Sequence, residues 1–198
     1  MKLILFTLTL LTLTAFAEKK HEHRQHEAHV HGAATLNIAF DQMVGKIEFK
    51  AASEGVLGFE HVAKSDKDKK TLNDAIAKFE VDISKMVQLD SSLNCTFTKE
   101  KIEMAKESET EHAKEVAAEK KSEQKADKKH KAHKVEGEHS DFIANFNVTC
   151  KKPIVGSKLT VDFTAFKNIK DLDVTVLADS LQKSFEVKVK PVTIELNK

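Results

Sequence analysis

The chain has 198 residues, the length of one domain that carries an insertion, and its 32 Lys plus Arg against 31 Asp plus Glu give a formal net charge of +1. Because binding to nucleic acid needs a surplus of basic residues, this balance argues against a nucleic-acid partner. Twelve Phe with no Trp and no Tyr predict a core of phenylalanine and aliphatic side chains, and ten His are the unusual feature of the composition.

The first 17 residues have the pattern of a secretory signal peptide. Lys2 precedes an apolar stretch over residues 3–16 that is shorter than the roughly 20 residues of a membrane-spanning helix, and Ala15-Phe16-Ala17 is typical of a cleavage site. We therefore expect export, cleavage after Ala17 and no membrane insertion afterwards. A His-rich segment, residues 18–31, and a single β-rich domain, residues 32–198, then make up the mature protein.

The domain is predicted to begin with a β-hairpin followed by a loop and a helix. Apolar residues alternate with polar ones on either side of a turn at residues 41–45, as in two paired strands, and a Gly-containing loop follows at residues 53–58. Apolar residues then recur at spacings of four and three, which predicts one amphipathic helix over residues 66–88. The helix residues with this spacing are Leu72, Ile76, Phe79, Ile83 and Met86.

The two cysteines are predicted to form a disulfide. Export places the chain in a compartment that favours disulfides, and Cys95 and Cys150 each lie in a segment that reads as a strand. If these strands pair antiparallel with the cysteines opposite each other, Phe97 lies opposite Val148. The alternative, a metal site built on cysteine, lacks a Cys-x-x-Cys motif.

The rest of the domain separates into a charged insertion and further strands. Residues 98–140 are rich in Glu, Lys and Ala with few large apolar residues, so we expect a solvated helix or a disordered loop there. Alternation returns after Cys150 in four segments that predict four strands. The expected fold is mainly β, an antiparallel sandwich or open barrel with one amphipathic helix and a long charged insertion.

Histidines suggest a metal site. His29 and His31 lie two residues apart directly before a strand, which puts both rings on one face with Cα atoms roughly 6.5 Å apart, so both can reach one ion. Further ligands must come from elsewhere in the chain, and His61 and then His139 are the candidates. The remaining histidines of the insertion are expected to be solvated surface residues; these are His112, His130 and His133.

Catalysis is not expected. The chain has no His-Glu-x-x-His zinc motif, no Gly-x-Ser-x-Gly, no Walker loop and no Gly-x-Gly-x-x-Gly. A catalytic zinc also needs a defined pocket and a general base, which a terminal His-rich segment does not supply. We therefore predict that the protein is not an enzyme.

Three sequence segments resemble one known family. The segments are His26-Glu27-Ala28-His29-Val30-His31-Gly32-Ala33-Ala34-Thr35-Leu36, Val56-Leu57-Gly58-Phe59-Glu60-His61, and His139-Ser140-Asp141-Phe142 with Phe146 and Cys150. They resemble the ZrgA-like family of bacterial periplasmic zinc-binding proteins. The resemblance implies a periplasmic, β-rich protein that binds zinc and assists its uptake, handing it towards a high-affinity importer. It also implies a His-rich insertion, from which this sequence departs because few histidines remain there.

Two functions follow from this reading. In the first, His29, His31 and His61 form an ordered zinc site that His139 or a carboxylate such as Glu60 completes. The more distal histidines of the terminal segment would capture loosely held ions; these are His21, His23 and His26. In the second, the protein is a structural or interaction module of the envelope, with incidental or pH-responsive histidines. Zinc rests on the resemblance, because nitrogen-rich sites generally bind Cu(II) more tightly than Zn(II).

Overall fold

A computed structural model of the chain describes residues 32–106, 139–188 and 190–197. Within these residues the chain forms nine strands and two helices, with a short 3-10 turn at Ser91–Leu93. The strands are β1 (Ala33–Asp41), β2 (Val44–Ala52), β3 (Val87–Leu89), β4 (Thr96–Lys106), β5 (Ser140–Thr149), β6 (Lys158–Val161), β7 (Asp171–Ala178), β8 (Leu181–Val187) and β9 (Val192–Glu195). The helices are α1 (Ser53–Leu57) and α2 (Asp66–Met86).

The strands belong to two sheets that share one core. The larger sheet has the order β4-β5-β2-β1-β7-β8 and the smaller has the order β3-β6-β9. Phe146 of the larger sheet, Leu159 of the smaller and Phe79 of α2 are fully buried in the same hydrophobic cluster. The predicted mainly β class is confirmed, and of the two predicted architectures the sandwich fits, because the described strands form two separate sheets and no closed barrel. One pair differs from the predicted antiparallel pattern, since β1 and β7 run parallel.

The predicted hairpin is confirmed as β1 and β2. Buried and exposed residues alternate along both strands, and Ile38 pairs with Ile47 in the register that puts both in the core. Gln42 has a φ of 53° in the two-residue turn, a left-handed conformation that hairpin turns of this length commonly need.

The predicted helix is confirmed as α2, which begins at the expected residue and ends two residues earlier. Ser65 and Asp68 form a capping box, in which the Ser65 hydroxyl accepts from the Asp68 N–H and the Asp68 carboxylate accepts from the Ser65 N–H. Phe79 in the apolar stripe of α2 packs against Phe49 of β2 and Phe142 of β5 in the larger sheet. None of the helices in the described ranges combines the length and apolarity of a membrane span, α2 being the longest and densely charged.

The predicted disulfide is present. Cys95, directly before β4, is bonded to Cys150, directly after β5, with a Cα–Cα distance of 3.9 Å. The two strands are antiparallel neighbours with Phe97 opposite Val148, as expected. The bond closes a separation of 55 residues, which stabilises the folded state by about 4 kcal/mol in the chain-entropy account.

Two local predictions need correction, and one strand was not predicted. The charged insertion was predicted over residues 98–140, but its first nine residues continue β4, and Ser140 begins β5. The loop predicted at residues 53–58 contains the one-turn helix α1, which Gly58 ends in a left-handed conformation with φ 81°. The short strand β3 at the end of α2 was not predicted.

Candidate metal centre

Two distant segments of the chain meet at one end of the larger sheet. Strand β1 begins there, β2 ends there and β5 begins there, because Ala34 pairs with Ala51, and Ala51 in turn pairs with Phe142. Gly32, which precedes β1, and His139, which precedes β5, therefore stand at the same end of the sheet. β1 and β5 lie two strand spacings apart, roughly 10 Å.

The loop that follows α1 is attached to the start of β5. Its first residue, Gly58, donates its N–H to the Glu54 oxygen at 2.9 Å, and further along the loop the Glu60 oxygen accepts from the Ser140 hydroxyl at 2.5 Å. Ser140 is 4% exposed, so this second hydrogen bond forms in the protein interior, away from competing water. The backbone of Glu60 is thus held against the residue next to His139.

Glu60 and His139 form the central contact of the site. Glu60 Oε2 lies 2.6 Å from His139 Nδ1, and the two side chains are 15% and 28% exposed, respectively. Carboxylate and imidazole are both donor groups that zinc accepts in proteins. The chemistry of this pair therefore fits a zinc ion.

An ion pair lies two residues further along the chain, in β5. Asp141, two residues after His139, is 7% exposed and its Oδ2 lies 3.0 Å from Lys50 Nζ.

The structure places His61 in different surroundings from Glu60. Its Nε2 donates to Asp68 Oδ2 at 3.3 Å, its ring lies 4.8 Å from the Phe59 ring, and its side chain is 60% exposed. The pKa of Asp68 is lowered chiefly by the hydrogen bond from Ser65; desolvation opposes this shift, and the His61 hydrogen bond reinforces it. His61 is therefore joined to the capping box of α2.

The described side chains alone do not complete a metal shell. Within residues 32–106, 139–188 and 190–197, no three His, Cys, Asp or Glu side chains gather closely enough to hold a metal ion. The structure brings together Glu60 and His139 of the predicted ligands and sets His61 against Asp68. The other predicted ligands lie outside the described residues; these are His21, His23, His26, His29 and His31.

The glycine that follows His31 has a structural role. Gly32 has a φ of +87°, and a Cβ atom built on it would stand 2.9 Å from the backbone oxygen of Asn168. Its own oxygen accepts from the N–H of Lys170 at 2.7 Å. Only glycine combines this backbone conformation with so close an approach, so Gly32 fixes where the chain enters β1.

Sequence reasoning missed two residues of this region. Asp68 was interpreted only as part of a helix, although it contacts His61 as well as Ser65. Ser140 was assigned to the charged insertion, although its hydroxyl anchors Glu60. The sequence does carry a usable signal, because a polar residue lies directly beside each histidine. An acidic residue precedes the histidine in Glu60-His61, and a hydroxyl residue follows it in His139-Ser140.

Comparison with known proteins identifies one family. The chain matches the sequence profile described as ZrgA family zinc uptake protein over residues 28–196, which includes β1 to β9 and both Glu60 and His139. No curated protein matches the chain.

Proposed function

Because the chain belongs to the ZrgA family of zinc uptake proteins, we propose that it is a periplasmic, non-catalytic protein that captures zinc and delivers it to an importer. The observation that supports capture most directly is the Glu60–His139 pair, which stands at the end of the sheet where the chain enters β1. Delivery to an importer and a periplasmic location are inferences from the family's role in uptake and from the predicted signal peptide.

The proposed ligands come from both sides of this sheet end. His31 directly precedes Gly32 in the sequence, and His29 lies two residues earlier. Covalent geometry limits the His31 Cα to about 3.8 Å from that of Gly32. We propose that His29 and His31 join His139 on one zinc ion, while the exposed His61 is a separate candidate because its ring already binds Asp68.

Donor chemistry supports reversible binding rather than permanent retention. Both cysteines are consumed by the disulfide, so no described thiolate is available to the metal. Imidazole and carboxylate ligands leave zinc more exchangeable than a thiolate cage of the structural type. A protein that hands its ion to another protein requires such exchange.

A competition titration tests the proposal. Zinc would be titrated against a chromophoric chelator with a chain that starts at Glu18, with the double variant His29→Ala/His31→Ala, and with His139→Ala. We expect each variant to weaken the tightest class of site by at least about tenfold, the lower bound for loss of even an outer-shell partner. His112→Ala, from the segment predicted to be solvated, is the matched control and should behave as wild type.

Two results would reject the proposal. If wild type fails to compete with the chelator, the protein has no zinc site of useful affinity. If wild type competes but neither variant changes the tightest class, zinc binds elsewhere and the sheet end is not the site. In either case the alternative, an envelope interaction module with incidental histidines, becomes the better account.

A further inference from the structure

The hydrogen bond between Glu60 and His139 determines which ring nitrogen of His139 carries the hydrogen. An ionised carboxylate has no hydrogen to donate, so the hydrogen in this contact is assigned to His139 Nδ1. At 2.6 Å the contact has the short length of a charge-assisted hydrogen bond. A neutral His139 is then the Nδ1–H tautomer, and its lone pair lies on Nε2.

Glu60 is held in place by contacts that do not involve a metal. Its side chain is 15% exposed, and its backbone oxygen is fixed by the buried Ser140, the chain neighbour of His139. Glu60 and His139 are 79 residues apart in sequence, yet two contacts join Glu60 to the start of β5. The Glu60 carboxylate contacts His139, and the Glu60 backbone oxygen accepts from the neighbouring Ser140. The carboxylate is therefore positioned towards His139 before any ligand binds.

We propose that Glu60 is a positioning residue and not a zinc ligand, and that it orients His139 to bind zinc through Nε2. The inference rests on the proposed function and specifies how its site is built. Histidines that bind metals almost always donate their second ring N–H to a carboxylate, a carbonyl or water, which fixes the tautomer and raises the basicity of the ligand nitrogen. Glu60 has the geometry of that outer partner.

Nitrogen-15 NMR of the metal-free protein tests the tautomer directly. At about pH 8.5, two units above the ordinary histidine pKa, we expect the His139 resonances of an Nδ1–H ring. Glu60→Gln retains an oxygen acceptor and should retain this tautomer, whereas Glu60→Ala should shift His139 towards the mixture seen in free imidazole. An Nε2–H tautomer in wild type would overturn the proposal.

Cobalt(II) substitution tests whether Glu60 enters the metal shell. The visible absorption of bound cobalt(II) reports the number and kind of ligands. If Glu60 only positions His139, Glu60→Gln keeps the wild-type band positions and intensities. A changed spectrum would make Glu60 a direct ligand and overturn the inference.

Zinc affinity supplies the third readout. Loss of an outer-shell partner typically weakens metal binding 10- to 100-fold, so we expect Glu60→Ala to fall in this range and Glu60→Gln to lie between it and wild type. Glu100→Gln, on the exposed edge strand β4, is the matched control and should equal wild type. An unchanged affinity in Glu60→Ala, with folding intact, would remove the positioning role.

These results separate this inference from the proposed function. If wild type binds no zinc, the proposed function fails, and the inference fails with it even where the metal-free tautomer is as expected. If wild type binds zinc through His139 but the cobalt(II) spectrum changes in Glu60→Gln, the proposed function stands and only the role of Glu60 is wrong.

Discussion

Single polar side chains fix the chain where regular elements end. Asp90 is an example, shortly before the disulfide-bonded Cys95. Its Oδ1 accepts from the Ser92 N–H at 2.9 Å and caps the 3-10 turn that leads to Cys95. The pKa of Asp90 is lowered, first by the backbone hydrogen bond from Ser92 and also by its side chain, with Lys152 and Lys158 contributing by charge. The free energy of unfolding therefore depends on pH through the Asp90 carboxylate.

The direction of this pH dependence can be predicted. Because the folded-state pKa lies below the ordinary 3.8, the carboxylate stabilises the folded state above that value, and the contribution is lost as pH falls through the depressed pKa. We expect wild type to be more stable than Asp90→Ala at neutral pH, by a small margin because solvent screens the group, and the margin should shrink in acid. Urea unfolding at about pH 7 and at about pH 2.5 measures it.

Asparagine at this position is the control for the charge. Asp90→Asn keeps an oxygen that accepts from Ser92 but does not titrate. The stability difference between Asp90→Asn and Asp90→Ala should therefore stay constant across the same pH range. A wild-type margin that stays constant or grows in acid would contradict the assigned pKa shift.

The candidate site could be predicted only in part at this scale. The histidines and Glu60 could be proposed as ligands because residue type limits which side chains bind zinc, and their spacing predicts that His29 and His31 share one face. The pairing of Glu60 with His139 was not recognisable, because a contact across 79 residues depends on which strands become neighbours. The association of His61 with Asp68 was missed because a helix cap and a metal ligand use the same residue types.

At the scale of elements, the packing of one aromatic side chain contributes more to the attachment of α2 to the fold than its caps do. Phe79 is fully buried, and its ring centroid lies 5.0 Å from that of Phe49 on β2, 5.1 Å from that of Phe142 on β5 and 5.0 Å from that of Phe166. It therefore joins the helix to two strands of the larger sheet and to the loop after β6. Such a residue dominates the packing of its element.

We expect Phe79→Ala to lower the free energy of unfolding by about 3–5 kcal/mol, because it removes buried apolar surface and leaves a cavity that rigid neighbours fill poorly. Val81→Ala, two residues further along the same helix and 71% exposed in wild type, should change it by no more than about 0.5 kcal/mol. Urea unfolding with the disulfide intact measures both. Equal effects of the two substitutions would show that α2 does not depend on this aromatic contact.

Sequence patterns predicted the buried elements and failed at the edges. The hairpin and α2 carry a strict period because each presents one face to the core. Strand β4 is an edge strand with a register shift between Lys99 and Lys101. Its sequence therefore lacks the alternation of a half-buried strand and resembles a charged, solvent-exposed segment. The parallel pairing of β1 with β7 was equally invisible, because it joins strands far apart in sequence.

At the scale of the whole molecule, the topology brings the start of β1 and the start of β5 to the same end of the larger sheet. The segment before β1 and the segment before β5 are more than 100 residues apart, yet β2 stands between β1 and β5 as the hydrogen-bonded neighbour of both. The disulfide fixes the opposite end of the β4–β5 pair, where Cys95 faces Cys150. A ligand that joins the two segments at the site end would therefore stabilise the order of the central strands.

This arrangement predicts that zinc raises the global stability of the protein. A ligand that binds only the folded state stabilises it by about 2.7 kcal/mol at a free concentration 100 times its Kd. We expect the midpoint of thermal unfolding to rise with zinc concentration in wild type and to return to the metal-free value when a chelator is added. His139→Ala should show a smaller rise at the same zinc concentration, because it loses one of the proposed ligands.

The zinc-dependent rise of the unfolding midpoint that remains in His139→Ala distinguishes an ordered site from loose binding by the histidines before β1. Histidines of an unfolded chain also bind zinc, and such binding lowers the apparent stabilisation instead of raising it. If ions were held only by the segment before β1, wild type and His139→Ala would respond alike, with little or no shift in midpoint. A zinc-dependent rise that requires His139 is expected only if the metal joins the start of β5 to another part of the folded chain.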